Sequence, residues 1–138
     1  MVITACTGEP PTDLGVKNGK LSHCPSTPNC VSSEAADQSH EIAPLRFSGS
    51  PRKAFKRLKT ILTNREDVTL VIEKPDYLRV EFHTRLFTDD GEFLLGKDRI
   101  EVRSASRIGY SDLGKNRQRI EDIRKAFSFG EEGRDSKR

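Results

Sequence analysis

The sequence predicts an α+β protein in which two helices pack on one face of an antiparallel four-stranded meander. Two segments, about 51–64 and 116–128, place apolar residues at helical spacing. Between them, residues 68–108 contain β-branched and aromatic runs of alternating polarity, separated by turn sequences. The apolar face of this meander is the one surface available to both helices, and we expect its polar face to be open.

The size and charge of the chain limit the kind of protein it is. Its 138 residues suffice for one domain with a core. We expect a flexible tether over 1–20, a single α+β domain over 21–129 and a disordered tail over 130–138. The 24 basic and 21 acidic residues give a net charge of +3, which argues against a dedicated nucleic-acid binder. No apolar run reaches the length of about 18 residues that a membrane-spanning helix needs.

The first helix has a clear start. Ser50 is a typical N-cap, and Pro51 suits the first helical position. An apolar stripe then follows, made of Ala54, Phe55, Leu58, Ile61 and Leu62. The opposite face is basic and carries Arg52, Lys53, Lys56, Arg57 and Lys59. This face is either simply solvated or in contact with an acidic membrane surface.

The strands follow in order. "VTLVIEK" and "YLRVEFHTRLF" flank the turn at residues 74–76 and predict a hairpin. "FTDDGEFLL" continues the alternation, and Asp90-Gly91 is expected as a two-residue hairpin turn. Residues 96–98 turn the chain into "RIEVRSASRI". A fifth strand in "IAPLRF" would be confined to an edge by Pro44.

The last helix is expected from about Asn116 to Ser128, after a turn at residues 111–114. Its apolar stripe is formed by Ile120, Ile123 and Phe127. Gly130 is expected to end it.

The polar face of the sheet is the candidate binding surface. One explanation of its arginines and carboxylates is that they form ion pairs across the strands. The other is an anion site, in which arginine guanidinium groups and the backbone amides at the start of the last helix bind a ligand. The candidate ligand-binding residues are Arg79, Arg85, Arg103, Ser104, Ser106, Arg107, Tyr110, Ser111, Asp112, Asn116 and Arg117. An acidic rim is expected from Asp89, Asp90 and Glu92.

The cysteines bear on the compartment. Cys24 and Cys30, in "HCPSTPNCVSS", are expected to form a disulfide in an oxidising compartment. The alternatives are two reduced thiols, or a metal site with His23 and His40, whose spacing does not match structural zinc. Cys6 ends "ITAC", which resembles the end of a bacterial lipobox, and is the candidate lipidation site, although only five residues precede it.

Three motifs together resemble a known family. "HCPSTPNCVSS", "DDGEF" and "RSASRIGYSDLGKNRQRIE" resemble the bacterial and plastid domain of unknown function family 1499, over about Leu14 to Phe127. Gly91 stands where that family more often has an apolar residue, and Lys115 where it often has Val. The resemblance implies a small, often exported or lipid-anchored domain without an established biochemical activity.

These observations predict a cell-envelope binding or assembly module, periplasmic or membrane-anchored, that presents an arginine-rich face to an anionic ligand or an acidic protein. A membrane surface could be reached through the lipid anchor; nucleic acid, cofactors and metals are not expected. One alternative is a metal-assisted hydrolase using Asp89, Asp90 and Glu92 with His83, since positioned acids and bases are what catalysis needs. Another is a scaffold subunit with no small ligand. With reduced thiols the protein would be cytoplasmic.

Overall fold

A computed structural model describes residues 8–109 and 111–135, with side chains described as far as residue 130. The described residues form strands and helices in this order: β1 (Val16–Lys17), β2 (Lys20–Leu21), β3 (Cys30–Ser32), β4 (Leu45–Arg46), α1 (Pro51–Thr63), β5 (Val68–Lys74), β6 (Tyr77–His83), β7 (Thr88–Leu95), β8 (Arg99–Ser106) and α2 (Lys115–Asp135). The α+β class is therefore confirmed.

The main sheet contains the predicted meander and two short strands beside it. Its strand order is β3-β8-β7-β6-β5, and β4 also pairs with β8. All these strand pairs are antiparallel. β4 lies in "IAPLRF", where an edge strand was expected, whereas β3 was not predicted because its run is only three residues long.

The expected turn at Asp90-Gly91 is wrong. Both residues lie inside β7, and the β6–β7 connection is instead closed by a hydrogen bond of 2.9 Å from the Thr84 N–H to the Phe87 carbonyl. A Cβ at Gly91 would stand 2.4 Å from Cε2 of Phe82. Glycine is therefore needed here because the buried Phe82 ring fills the space of a side chain, and not because the chain turns.

One hydrophobic core lies between the sheet and the two helices. α1 begins as predicted, since the Ser50 hydroxyl accepts a hydrogen bond of 3.2 Å from the Lys53 N–H. Its buried side chains are Ala54, Phe55, Leu58 and Leu62, and α2 contributes Ile120, Ile123 and Phe127. They pack against the sheet residues Leu78, Val80, Phe82, Phe93, Ile100 and Val102. Burial of this set from water is the main driving force for the fold.

α2 is longer than predicted. It continues past Gly130 to Asp135, so the expected disordered tail is helical over 130–135, while 136–138 lie outside the described residues. A glycine inside a helix costs only about 1 kcal/mol. At this position it also makes room for α1, because a Cβ would stand 2.9 Å from Cδ of Arg57. The Arg57 guanidinium lies 4.2 Å from the Phe127 ring centroid, which accounts for the close approach.

The second face of the sheet is not open. Residues 8–24, here called the N-terminal strap, lie across it, and part of the expected tether forms the β1–β2 hairpin. Leu21 of the strap packs with Tyr77 and Leu94 in a small second cluster. The predicted disulfide between Cys24 and Cys30 is confirmed and ties the end of the strap to β3. Residues 1–7, including Cys6, lie outside the described part.

Candidate functional site

Arg107 on the strap-covered face is paired with carboxylates of the neighbouring strands. Its Nε and Nη2 donate to the two oxygens of Asp90 at 2.8 and 2.9 Å, and Nη2 also donates to Glu81 at 2.6 Å. Hydrogen bonds to Asp90 raise the pKa of Arg107 more than burial lowers it, and Glu81 raises it further. The guanidinium fork is therefore already occupied by carboxylates of the same chain.

Glu92 and Arg103 connect this face to the strap. Glu92 is fully buried and accepts hydrogen bonds from the Tyr77 hydroxyl and, at 2.8 Å, from the Gly15 N–H. Arg103, 3% exposed, has its Nη1 3.7 Å from Glu92 and donates from Nη2 to the His23 carbonyl at 3.3 Å. Burial, followed by the hydrogen bond to Glu92, raises the pKa of Tyr77. These contacts favour the ion-pairing explanation of the arginine-rich face.

The expected acidic rim is wrong in its geometry. Asp89, Asp90 and Glu92 are all buried in β7. Successive residues of a strand point to opposite faces, so Asp89 faces the helices, while Asp90 and Glu92 face the strap. His83 contacts Thr69, at 3.0 Å, instead of these acids. Within the described residues, no group of three or more His, Cys, Asp or Glu side chains is placed to hold a metal ion.

Asn116, on the helix side of the sheet, fixes the start of α2 to β8. Its side chain is fully buried. The Oδ1 atom accepts from the Ser104 hydroxyl at 2.6 Å, and Nδ2 donates to Ser106 at 3.0 Å and to Asp112 at 2.7 Å. A further contact of 3.4 Å reaches the Asn29 carbonyl. Donors and acceptors of the amide are thus satisfied by three different segments.

Asp112 occupies the position in which a bound anion was expected. Its carboxylate accepts hydrogen bonds from the backbone N–H of Gly114, at 2.9 Å, and of Asn116, at 3.0 Å. Burial raises the pKa of Asp112, but the hydrogen bonds from Asn116 and Gly114 outweigh it, and the pKa lies below its ordinary value. The amides at this helix end are therefore taken by the protein itself.

Arg119 is the functional candidate that the sequence did not reveal. Its Nη1 donates to Asp89 at 2.8 Å and to Asn116 at 3.3 Å, and its Cζ lies 4.5 Å from the Phe82 ring centroid. The residue is 5% exposed, and its hydrogen bonds to described residues both come from Nη1, with none from Nε or Nη2. The one available signal was its spacing, three residues after Asn116 and one before Ile120, on the buried stripe of α2.

A cleft of about 740 Å³ opens beside Arg119, between the β6–β7 turn, the end of β8 and the start of α2. Arg119 and its partner Asp89 form the buried end of the cleft. The exposed apolar side chains at its mouth are Phe87, Ile108 and Leu113, which are 46%, 37% and 96% exposed. The cleft thus combines the buried guanidinium of Arg119 with apolar side chains at its entrance. Its lining also includes the charged residues Arg65, Asp67, Asp112, Lys115 and Asp122.

The structure divides the predicted ligand-binding residues among several places. Ser106, Ser111 and Asp112 line the cleft, and Ser104 and Asn116 lie behind it. Arg79, Arg103 and Arg107 are on the opposite face, under the strap. Arg85 is exposed in the β6–β7 turn, and Arg117 donates to the carbonyls of Glu41 and Ser39 at 2.7 and 3.3 Å. Tyr110 lies outside the described residues.

Comparisons with known proteins agree with the resemblance in the motifs. Searches of curated proteins and of solved structures found no significant match. Within the described part of the chain, no helix is long and apolar enough to cross a membrane. A family model described as "Protein of unknown function (DUF1499)" matches residues 20–127, which is most of the chain and includes β2 through the buried stripe of α2. The chain therefore belongs to the DUF1499 family.

Proposed function

We propose that this protein is a cell-envelope binding module whose cleft holds a small amphipathic ligand with a carboxylate or phosphate head. The observation that carries the proposal is the Arg119 guanidinium. Asp89 and Asn116 fix its Nη1, and no partner occupies its Nε and Nη2 among the described residues. Those two atoms lie along one edge of the guanidinium plane, the edge that recognises an oxyanion through two parallel hydrogen bonds.

The fixed position of Arg119 favours binding. A free arginine loses side-chain freedom when it binds a ligand, and each such immobilised side chain costs about 0.5–1.5 kcal/mol. Arg119 is already held by two hydrogen bonds and by the Phe82 ring. Most of this cost is therefore met when the protein folds.

The entrance of the cleft suits the apolar body of such a ligand. Pockets for small molecules have volumes of about 300–1,000 Å³, mostly apolar walls and a few placed polar groups. The cleft has this size, and Phe87, Ile108 and Leu113 expose apolar surface toward it. Leu113 is held at φ 55° and is almost fully exposed. A left-handed leucine in water is unfavourable for folding, which is consistent with a role in binding.

The arginine-rich face is a weaker candidate for the same function. Arg103 is buried under the strap, Arg79 and Arg107 are half-buried there, and these arginines lie next to the carboxylates of Asp90, Glu81 and Glu92. A ligand there would have to displace both the strap and these carboxylates, whereas the cleft needs neither change.

The envelope location in this proposal is supported by the disulfide. Disulfides persist in oxidising compartments and are rare where thiols are kept reduced. Lipidation at Cys6 stays a prediction. The intact mass of the protein from its native host, with and without reductant, tests both points, since a lipid adduct at Cys6 and a gain of two hydrogens on reduction are expected. An unmodified protein with free thiols would contradict the location.

The binding function can be tested with anilinonaphthalene sulfonate, a fluorescent probe that has an aromatic body and an anionic head. We expect saturable binding at one site, displaced by dodecanoate. Arg119→Lys keeps the charge but removes the fork, so the affinity should fall about tenfold or more, the loss expected for a charge-assisted hydrogen bond.

Two exposed positions supply variants that leave the core untouched. Leu113→Asn removes apolar surface while asparagine tolerates a left-handed conformation, and it should weaken probe binding severalfold. Leu86→Asn is the matched control, because Leu86 is 54% exposed but does not line the cleft. Equal effects of the two substitutions, or no saturable binding by the wild type, would refute the proposed site and leave the scaffold alternative.

A further inference from the structure

The positive charge of this protein is concentrated on one helix. α1 carries five basic residues and no acidic one, so the rest of a chain with a total charge of +3 has a net charge of −2. Basic residues are disfavoured in the first turn of a helix, where the macrodipole is positive. Arg52 and Lys53 occupy that turn, and both are exposed. These charges therefore do not serve the stability of α1.

The β5–β6 turn adds to this basic surface. Arg52 donates from Nη1 to the Pro75 carbonyl at 3.0 Å and so holds the turn beside α1. A groove of about 450 Å³ lies between them, lined in part by Arg52, Lys56, Lys59 and Lys74. Glu73 is the acidic residue of that lining, and it pairs with Lys59. The other three basic side chains keep their positive charge unpaired by a carboxylate among the described residues.

An exposed aromatic residue lies where α2 meets α1. Gly130 of α2 packs against Arg57 of α1, and the preceding Phe129 is 76% exposed. Phe129 lines a separate hollow of α2 with Lys125 and Ser128, on the helix that packs against the basic α1. At a membrane interface an aromatic ring enters the headgroup region and basic side chains meet lipid phosphates. We define the basic end of the domain as Arg52, Lys53, Lys56, Lys74 and Phe129.

We propose that the basic end docks on the surface of an anionic lipid bilayer. The positive charge of this surface is complementary to the negative charge of lipid phosphates. The exposed aromatic ring adds an apolar contact that attraction between charges alone would not need. The disulfide also supports a bilayer over nucleic acid, because it indicates an oxidising compartment.

The basic end and the cleft are well separated. The cleft is at the start of α2, whereas Arg57 packs at Gly130, and 15 residues of helix span about 22 Å. Docking through the basic end would leave the cleft accessible from the aqueous side. Binding of the probe in the cleft and binding of the basic end to vesicles can therefore be measured separately, and either can fail without the other.

The test measures binding of the full chain to vesicles of phosphatidylcholine alone and of phosphatidylcholine with phosphatidylglycerol, at low salt. Binding to the anionic vesicles only is expected. Each basic residue near an anionic bilayer strengthens binding about fivefold, so Lys53→Glu combined with Lys56→Glu should weaken it by about 25-fold or more. This variant should remain folded, because glutamate at position 53 is favourable in the first helical turn and residue 56 is exposed.

A matched control and a reporter complete the design. Lys17→Glu combined with Lys20→Glu makes the same change of charge on the exposed β1–β2 hairpin and should have at most a small effect. The chain has no Trp, so Phe129→Trp introduces a single tryptophan, whose emission should shift to the blue with anionic vesicles only. No binding by the wild type, equal losses in both double variants, or tighter binding to a DNA duplex than to anionic vesicles would overturn the proposal.

Discussion

Replacing Gly91 by alanine tests the packing of the sheet against the helices. The new Cβ would lie 2.4 Å from Cε2 of Phe82 and 3.0 Å from Cγ2 of Val80. Ordinary contacts between carbon atoms are about 3.5–4.0 Å, so the shortest contact is about 1 Å too close. Phe82 cannot turn toward solvent, because it is fully buried and its ring faces the Arg119 guanidinium.

The expected magnitude follows from two opposing terms. Inserting a methyl group into a packed core costs about 1–3 kcal/mol. Alanine is favoured over glycine in a strand by about 0.5–1 kcal/mol, because its unfolded chain has less freedom to lose. We therefore expect Gly91→Ala to lower the free energy of unfolding by about 1–2 kcal/mol, measured by urea denaturation followed by circular dichroism.

A double-mutant cycle with Phe82→Leu separates this explanation from that of a turn. The smaller leucine leaves space that the alanine methyl can fill, so the double variant should be about 1 kcal/mol more stable than the sum of the two single changes predicts. A glycine needed for a turn would give additive effects, because the two side chains would not touch. Additivity, or an unchanged Gly91→Ala protein, would refute the steric argument.

Three further measurements test other parts of the structure. Asn116→Asp replaces the amide N–H donors by a carboxylate next to that of Asp112, and it should lower the free energy of unfolding by about 3 kcal/mol. A loss below about 1 kcal/mol, measured by urea denaturation, would show that the hydrogen bonds of the amide are not needed. Reducing the disulfide between Cys24 and Cys30, six residues apart, should cost about 2 kcal/mol from loop entropy, seen as a lower urea midpoint with reductant. The hydrogen bond to the Thr27 carbonyl raises the pKa of His40 more than burial lowers it, and Asp37 raises it further. The contribution of His40 to the free energy of unfolding is thus complete below its ordinary pKa of 6.5 and is lost as the pH rises through the higher pKa of the folded protein. His40→Gln should remove this pH dependence.

The local elements could be predicted because their signals lie in neighbouring residues. Ser50 and Pro51 mark the start of α1, and the period of the apolar residues identifies both helices and β5, β6 and β8. The disulfide was one of several alternatives, since sequence spacing does not fix the distance between two thiols. The structure joins Cys24 to Cys30 and places His40 on Asp37 and Thr27.

The candidate site was harder to predict because the relevant partners are distant in the sequence. Gly91 was interpreted as a turn residue since Asp-Gly is a strong local signal, and only its contact with Phe82 shows otherwise. The sequence does not single out Arg119, because the neighbouring residues give no reason for a charged side chain on the buried stripe of a helix. Its partner Asp89 lies 30 residues earlier in the chain.

The sequence by itself determined the fold class, the helix positions, the meander and the family, because hydrophobic period and short motifs depend on residues close together in the chain. Tertiary structure alone decided that the strap covers the arginine-rich face and that the cleft lies on the other side. The physical reason is that burial and ion pairing depend on which segments meet in space. Gly15 reaches Glu92, and Arg119 reaches Asp89, only after the sheet and α2 have assembled.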